Sequence, residues 1–172
     1  MVTHEQIDFL ENRHASKHFM PALGTKITTL HGWGARGFIN LPKGGTGRSL
    51  YLRGMDIVYA RCLVVLSNAG CAPKSIALRG LYQNIEFFVQ GCRDSYTEHE
   101  KMPTTYALYR YVERCEGKNS CIDGEWSLSL EGMSLDARHI TEAHGHKAAP
   151  FWAILNLTDI MQEMSKKVWA AY

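Results

Sequence analysis

His139, His144 and His146 stand at H-x4-H-x-H spacing with Glu142 between them, a set of the type that can hold a divalent cation. The loop around them is rich in Gly and Ala, where histidines are more often simply exposed, so no metal is expected. Cys115 and Cys121 offer thiols nearby without a recognisable ligand set. Gly32-Trp33-Gly34-Ala35-Arg36-Gly37 spells G-x-G-x-x-G. A dinucleotide-binding turn of that spelling must follow a buried strand and open a helix, so that pyrophosphate meets the helix N-terminus. No apolar strand precedes this one, and the following Phe38-Ile39-Asn40-Leu41-Pro42 is β-like and ends in proline. Residues 44–49 lack the Walker spacing and its lysine, and Ser127 and Ser129 lie on a strand pattern without a G-x-S-x-G elbow. The expectation is a protein that is not an enzyme and carries no cofactor.

The chain's charge is more informative. The formal net charge of +2 hides an asymmetry: residues 1–93 carry net +6 and residues 94–172 net −4. Between residues 12 and 85 there are ten bases (Arg13, Lys17, Lys26, Arg36, Lys43, Arg48, Arg53, Arg61, Lys74 and Arg79) against the single acid Asp56. Ordinary soluble surfaces interleave both signs, so a one-signed stretch of this length reads as a footprint for a polyanion, nucleic acid above all.

At 172 residues, 45% hydrophobic and 10% aromatic, the chain can bury a core without metals or disulfides, as one large domain or two small ones. No run of 18 apolar residues suggests a membrane span. Glu5, Asp8 and Glu11 stand where a signal peptide needs a basic start. The five cysteines are odd in number with no C-x-x-C pair, which suits a reducing, cytoplasmic setting. Cys62 and Cys71 sit in apolar surroundings and read as buried small hydrophobes.

These residues must be carried by local elements. A helix is expected over residues 4–20, capped by Thr3, with Ile7, Leu10 and His14 on one face and a stop near Pro21. Residues 25–36 form a second, short helix with Ile27, Leu30 and Trp33 facing inward. Gly32 and Gly34 weaken it by roughly 1 kcal/mol each, so packing must hold it. Residues 38–52 read as two short β-like pieces around a flexible basic Gly-rich turn. A helix follows from Met55 to Asn68, ending at Gly70 with Pro73 beyond. Residues 74–81 and 81–92 are further helical segments, the latter with the apolar stripe Leu81, Ile85, Phe88, Val89 and Cys92.

This order of helix, turn, helix, β-wing and helices resembles the winged helix-turn-helix DNA-binding domain of the MerR family. The likeness covers about 60 residues, roughly 20–81. It rests on Gly24 opening the second helix, Leu30, Trp33, Gly37 followed by Phe38 and Ile39, Pro42, Arg48 on the wing, Asp56 opening the third helix, Gly70 closing it, and Ile76 beyond. His31 stands where the family usually has Arg, and the wing is one residue longer. The resemblance implies a recognition helix in the major groove and a wing on the adjacent backbone or minor groove. Short polar and basic side chains suit such a helix face: Lys26, Thr28, Thr29, His31 and Arg36. Lys43, Thr46 and Arg48 suit the wing, with Arg53 just behind.

The remainder reads differently. Residues 94–104 look like a linker. Tyr106 to Glu113 is a strand, residues 116–124 a turn, Trp126 to Glu131 an alternating half-buried strand and Phe151 to Leu157 a buried strand. Thr158 is expected to cap a final helix with Ile160, Met161, Met164 and Val168 inward and Lys166 and Lys167 near its end. Tyr106, Tyr109, Tyr111, Trp126 and Trp152 are read as core, and as the lining for a small-molecule effector should one bind. The expected fold class is α+β: a winged helix-turn-helix domain over residues 1–93, a linker over 94–104, and a small α+β dimerisation or sensing domain over 105–172 with a short antiparallel sheet and a C-terminal helix. The expected function is a homodimeric, sequence-specific regulator of transcription that binds double-stranded DNA, since one winged helix alone reads too few base pairs. The alternative is an architectural or phage-type assembly protein, such as an excisionase or a small terminase subunit.

Overall fold

Thr3 starts the first helix with a capping box: its hydroxyl accepts from the Gln6 amide while the Gln6 side chain accepts from the Thr3 amide, satisfying two otherwise orphaned donors. The computed structural model describes residues 1–42, 49–70, 77–116, 119–130 and 152–172. Among them are six helices and two small antiparallel sheets, a mixed α/β fold. In chain order these are α1 (His4–Glu11), β1 (Arg13–Ala15), α2 (Ser16–Leu23), α3 (Ile27–Ala35), β2 (Tyr51–Arg53), α4 (Gly54–Asn68), α5 (Ala77–Thr97), β3 (Thr105–Glu116), β4 (Asn119–Leu130), β5 (Trp152–Asn156) and α6 (Leu157–Trp169).

The single helix expected over residues 4–20 is two helices separated by a strand. β1 leaves the helical path to pair antiparallel with β2, with Arg13 opposite Arg53, His14 opposite Leu52 and Ala15 opposite Tyr51. The Gly54 amide also donates to the Asn12 carbonyl at 3.2 Å. A partner distant in sequence decides this break, and no local periodicity announces it. Pro21 does not stop α2 either. It lies inside the helix, which closes at Gly24 with φ 70°, while buried Phe19, Ala22 and Leu23 hold the turn against the core.

Other boundaries also differ from expectation. Residues 38–42 form no strand, although Ile39 is buried in the core. The helices expected over 74–81 and 81–92 are one helix, α5, and it runs on through residues 94–97 of the expected linker. Its stripe is as expected: Leu81, Ile85, Phe88, Val89 and Cys92 are all buried. Burying each of the larger ones is worth about 1.5–3 kcal/mol. Residues 119–124, expected in a turn, belong to β4, which pairs with β3 in one register from Thr105 opposite Leu130 to Glu116 opposite Asn119. The ladder supplies partners to backbone groups that a polar composition suggests would face water. β5 pairs on the other side of β3.

The cap of α6 is Asn156, whose side chain accepts from the Asp159 amide. Thr158 instead accepts at its hydroxyl from the Thr105 amide at 2.9 Å, tying the start of β3 to α6. Ile160, Met161, Met164 and Val168 face inward as expected. They do so against α1, α2 and α4, so Phe9, Leu23, Leu63, Phe88, Leu157 and Met164 share one buried cluster. Helices from both ends of the chain thus hold the same core. Cys62 and Cys92 are free and buried, as expected for Cys62. Burial pushes both thiols up to about 12, which leaves them inert as nucleophiles. Cys71 lies outside the described residues.

Beyond α6 the chain closes over two histidines. His14, 1% exposed, donates from Nε2 to the Phe9 carbonyl at 2.9 Å, and its Nδ1 lies 3.2 Å from the Tyr172 hydroxyl. His18 donates from Nδ1 to the Ala171 carbonyl at 2.7 Å and stacks flat on the Tyr172 ring at 3.9 Å. Burial, with nearby His18 adding to it, holds the His14 pKa below the ordinary 6.5 although its bond to Phe9 pulls the other way. The unfolded state therefore takes up a proton on His14 at higher pH than the folded state does. Stability is complete above the unfolded value and falls as pH drops through about 6.5 towards the folded one. Urea midpoints measured from neutral to mildly acidic pH are expected to decline, and His14→Gln to flatten that decline.

Candidate nucleic-acid interface

Within the basic stretch, α2 and α3 are two short helices joined by a tight turn. α2 ends at Gly24, whose left-handed φ of 70° costs a glycine nothing. Lys26 then takes the N-cap position of α3. Leu30, fully buried, and Trp33 anchor α3 in the core. Gly37, at φ 72°, turns the chain away from it, and the Phe38 amide donates back to the Trp33 carbonyl at 2.9 Å. Gly34 allows Leu41 to lie directly on the helix, since a Cβ there would come within 2.5 Å of Leu41 Cδ1.

α4 clamps both helices. Arg61 donates from Nη1 to the Leu23 carbonyl at 3.1 Å, which satisfies an orphaned helix end. The Tyr59 hydroxyl donates to the Phe38 carbonyl at 2.9 Å. Burial, reinforced by Cys62 and Tyr82, raises the Tyr59 pKa and keeps that donor protonated.

With Leu30 and Trp33 inside, α3 turns Thr28, His31 and Ala35 to solvent, flanked by exposed Lys26 and Arg36. Thr29 is half-buried at the edge of that face. Ile27, expected inward, is 38% exposed, because it sits on the solvent side of the Leu30–Trp33 line. Lys43, Thr46 and Arg48 lie outside the described residues, as do His139, Glu142, His144 and His146. Among the described residues no three His, Cys, Asp or Glu side chains are grouped as a metal site would require.

Arg53 departs from the simple picture of a free cation. At the N-cap position of α4, it donates from Nε to Asp56 Oδ2 at 3.1 Å and from Nη2 to the Tyr82 hydroxyl at 3.2 Å. The Tyr82 hydroxyl itself donates to Asp56 Oδ1 at 3.1 Å. The bond to Asp56 raises the Arg53 pKa, and burial together with Asp56 pushes Tyr82 up to about 12. The one acid in the basic stretch is thus a buried fixing point for α4 and α5, and Arg53 keeps about half its surface in solvent. Arg13 and Lys17 are further exposed bases on this half of the molecule. The sequence counts both among its ten bases but does not place them among the binding residues, because the residues around them have the pattern of one continuous helix.

Gly32 offers a clean test of how this element is built. It lies inside α3, and a Cβ there meets nothing within 4 Å. Gly32→Ala is therefore expected to raise stability by about 0.5–1 kcal/mol through reduced unfolded-state entropy, measured as a higher urea midpoint with unchanged slope.

No protein-family model matches the chain, and no curated protein matches it either. Among the described residues no helix is long and apolar enough to cross a membrane.

Proposed function

We propose that this chain is a cytoplasmic, sequence-specific regulator of transcription that binds double-stranded DNA as a homodimer through a winged helix-turn-helix. The observation that carries this reading is the outer face of α3. A short helix anchored by Leu30 and Trp33 presents Lys26, Thr28, His31 and Arg36 to solvent, within a stretch whose one acid, Asp56, is buried in an ion pair. A reading helix needs short polar and basic groups on a rigid backbone, so that side chains reach base edges rather than collapse onto their own surface. The brace from Arg61 and Tyr59 supports that rigidity. In this reading Lys43, Thr46 and Arg48, basic or polar and set among glycines in the sequence, are the groups that meet phosphates or the minor groove.

The test is selection from random genomic fragments by the purified protein across a salt series, with sequencing of what stays bound at high salt. A steep fall of affinity with salt and an enriched inverted repeat are expected. Tandem sites, or steep binding with no motif, would replace the regulator with an architectural or assembly protein. Absence of duplex binding near physiological salt would overturn both.

A further inference from the structure

The outer face of the β1–β2 ribbon carries an arrangement that strand pairing alone does not favour. Arg13 and Arg53 are directly opposite each other in the ladder, and both are exposed on the face away from the core, since His14 and Leu52 turn inward. Like charges facing each other across an antiparallel pair repel. Asp56 compensates Arg53. Among the described residues, no ion pair compensates Arg13. A pocket of about 220 Å³ is lined by both arginines together with Asn40, Pro42, Tyr51, Leu52 and Asp56. The residues that line it carry two planar cations, an amide and a phenol. Guanidinium groups match the geometry of phosphate oxygens in a bidentate manner, and Asn and Tyr supply further donors. Asp56 accepts from Arg53 and Tyr82, so its charge is balanced by Arg53 and the net positive charge at the pocket is that of Arg13.

We infer that this pocket is a binding site for a phosphate group, with Arg13 as its principal ligand and Arg53, Asn40 and Tyr51 completing it. The phosphate chemistry has two sources, the backbone of a nucleic acid and a free phosphate-bearing small molecule. The site stands independently of the reading of α3.

The experiment uses the full chain, its Arg13→Gln and Arg13→Lys variants, and Tyr51→Phe as a second, milder lesion. Unfolding curves serve as the control that each remains folded. Two probes are applied: inorganic phosphate and pyrophosphate, followed through the arginine Nε–H resonances, and a duplex of about three helical turns, followed by anisotropy across a salt series. For a backbone phosphate, Arg13→Gln is expected to reduce the log–log salt slope by about 0.9, with Arg13→Lys keeping it. For a free phosphate compound, saturable shifts of the Arg13 and Arg53 resonances are expected in the wild type and lost in Arg13→Gln, with the duplex slope unchanged. Saturable phosphate binding without any duplex binding would sustain the pocket while removing the DNA reading. An unchanged slope in Arg13→Gln together with no saturable phosphate shift would overturn the pocket, whatever α3 does.

Discussion

Gly54→Ala is expected to destabilise the protein by about 3 kcal/mol, towards the upper end of what overpacking costs. A Cβ at Gly54 would lie 1.9 Å from the Phe9 carbonyl oxygen, 2.6 Å from its carbon and 2.8 Å from Leu10 Cα. All three are backbone atoms, so no rotamer change relieves the clash. Either α1 or the start of α4 must move, and the two are joined there by the Gly54 amide donating to Asn12 at 3.2 Å. Phe9 and Leu10 are at most 2% exposed, so displacing them opens the core as well. For a chain of this size the thermal midpoint is expected to fall by roughly 6–12 °C. The same substitution at Gly32 is expected to have the opposite sign, so the pair separates the effect of packing from that of helix propensity. A Gly54→Ala variant as stable as the wild type would show that α1 does not abut α4.

The second large effect is on binding. On the proposed DNA-binding reading, replacing Lys43 and Arg48 together by alanine is expected to weaken affinity for every duplex, specific or not, and to flatten the log–log salt dependence by about 1.8, near 0.9 for each cation. Thr28→Ala and His31→Ala should behave differently. They leave the salt slope nearly intact and relax base preference, at about 1–3 kcal/mol for each base edge no longer read. Anisotropy on an enriched fragment and on a scrambled duplex, each across a salt series, distinguishes the two behaviours. If all four substitutions left affinity, slope and preference unchanged, the winged helix-turn-helix reading would be wrong.

The two lesions probe different layers of one construction. Gly54 secures the joint at which α1, the β1–β2 ribbon and α4 meet, and α4 in turn carries Tyr59 and Arg61, which brace α3 and α2. Loosening that joint is expected to weaken the base reading proposed for α3 without touching a residue on its outer face.

Much of this is legible in the order of residues alone. The stripe on α5, the inward face of α6, the inward Leu30 and Trp33, the Thr3 cap and the glycine end at Gly70 are local signals. They follow from the 3.6-residue period, orphaned helix donors and the left-handed backbone that glycine tolerates. The concentration of bases before residue 86 is likewise a property of composition. Composition does not decide where distant segments meet. The break at residues 13–15 exists because β2 lies alongside, the reach of β4 back to Asn119 because β3 pairs with it, and the placement of α6 because its apolar face is buried against α1, α2 and α4. Asp56 illustrates the same divide: its charge is plain in the sequence, but its role as the buried partner of Arg53 and Tyr82 depends on α5 packing beside α4. Short-range periodicity and capping act within a few residues and are written in the chain, whereas pairing and burial are settled by which surfaces the folded chain brings together.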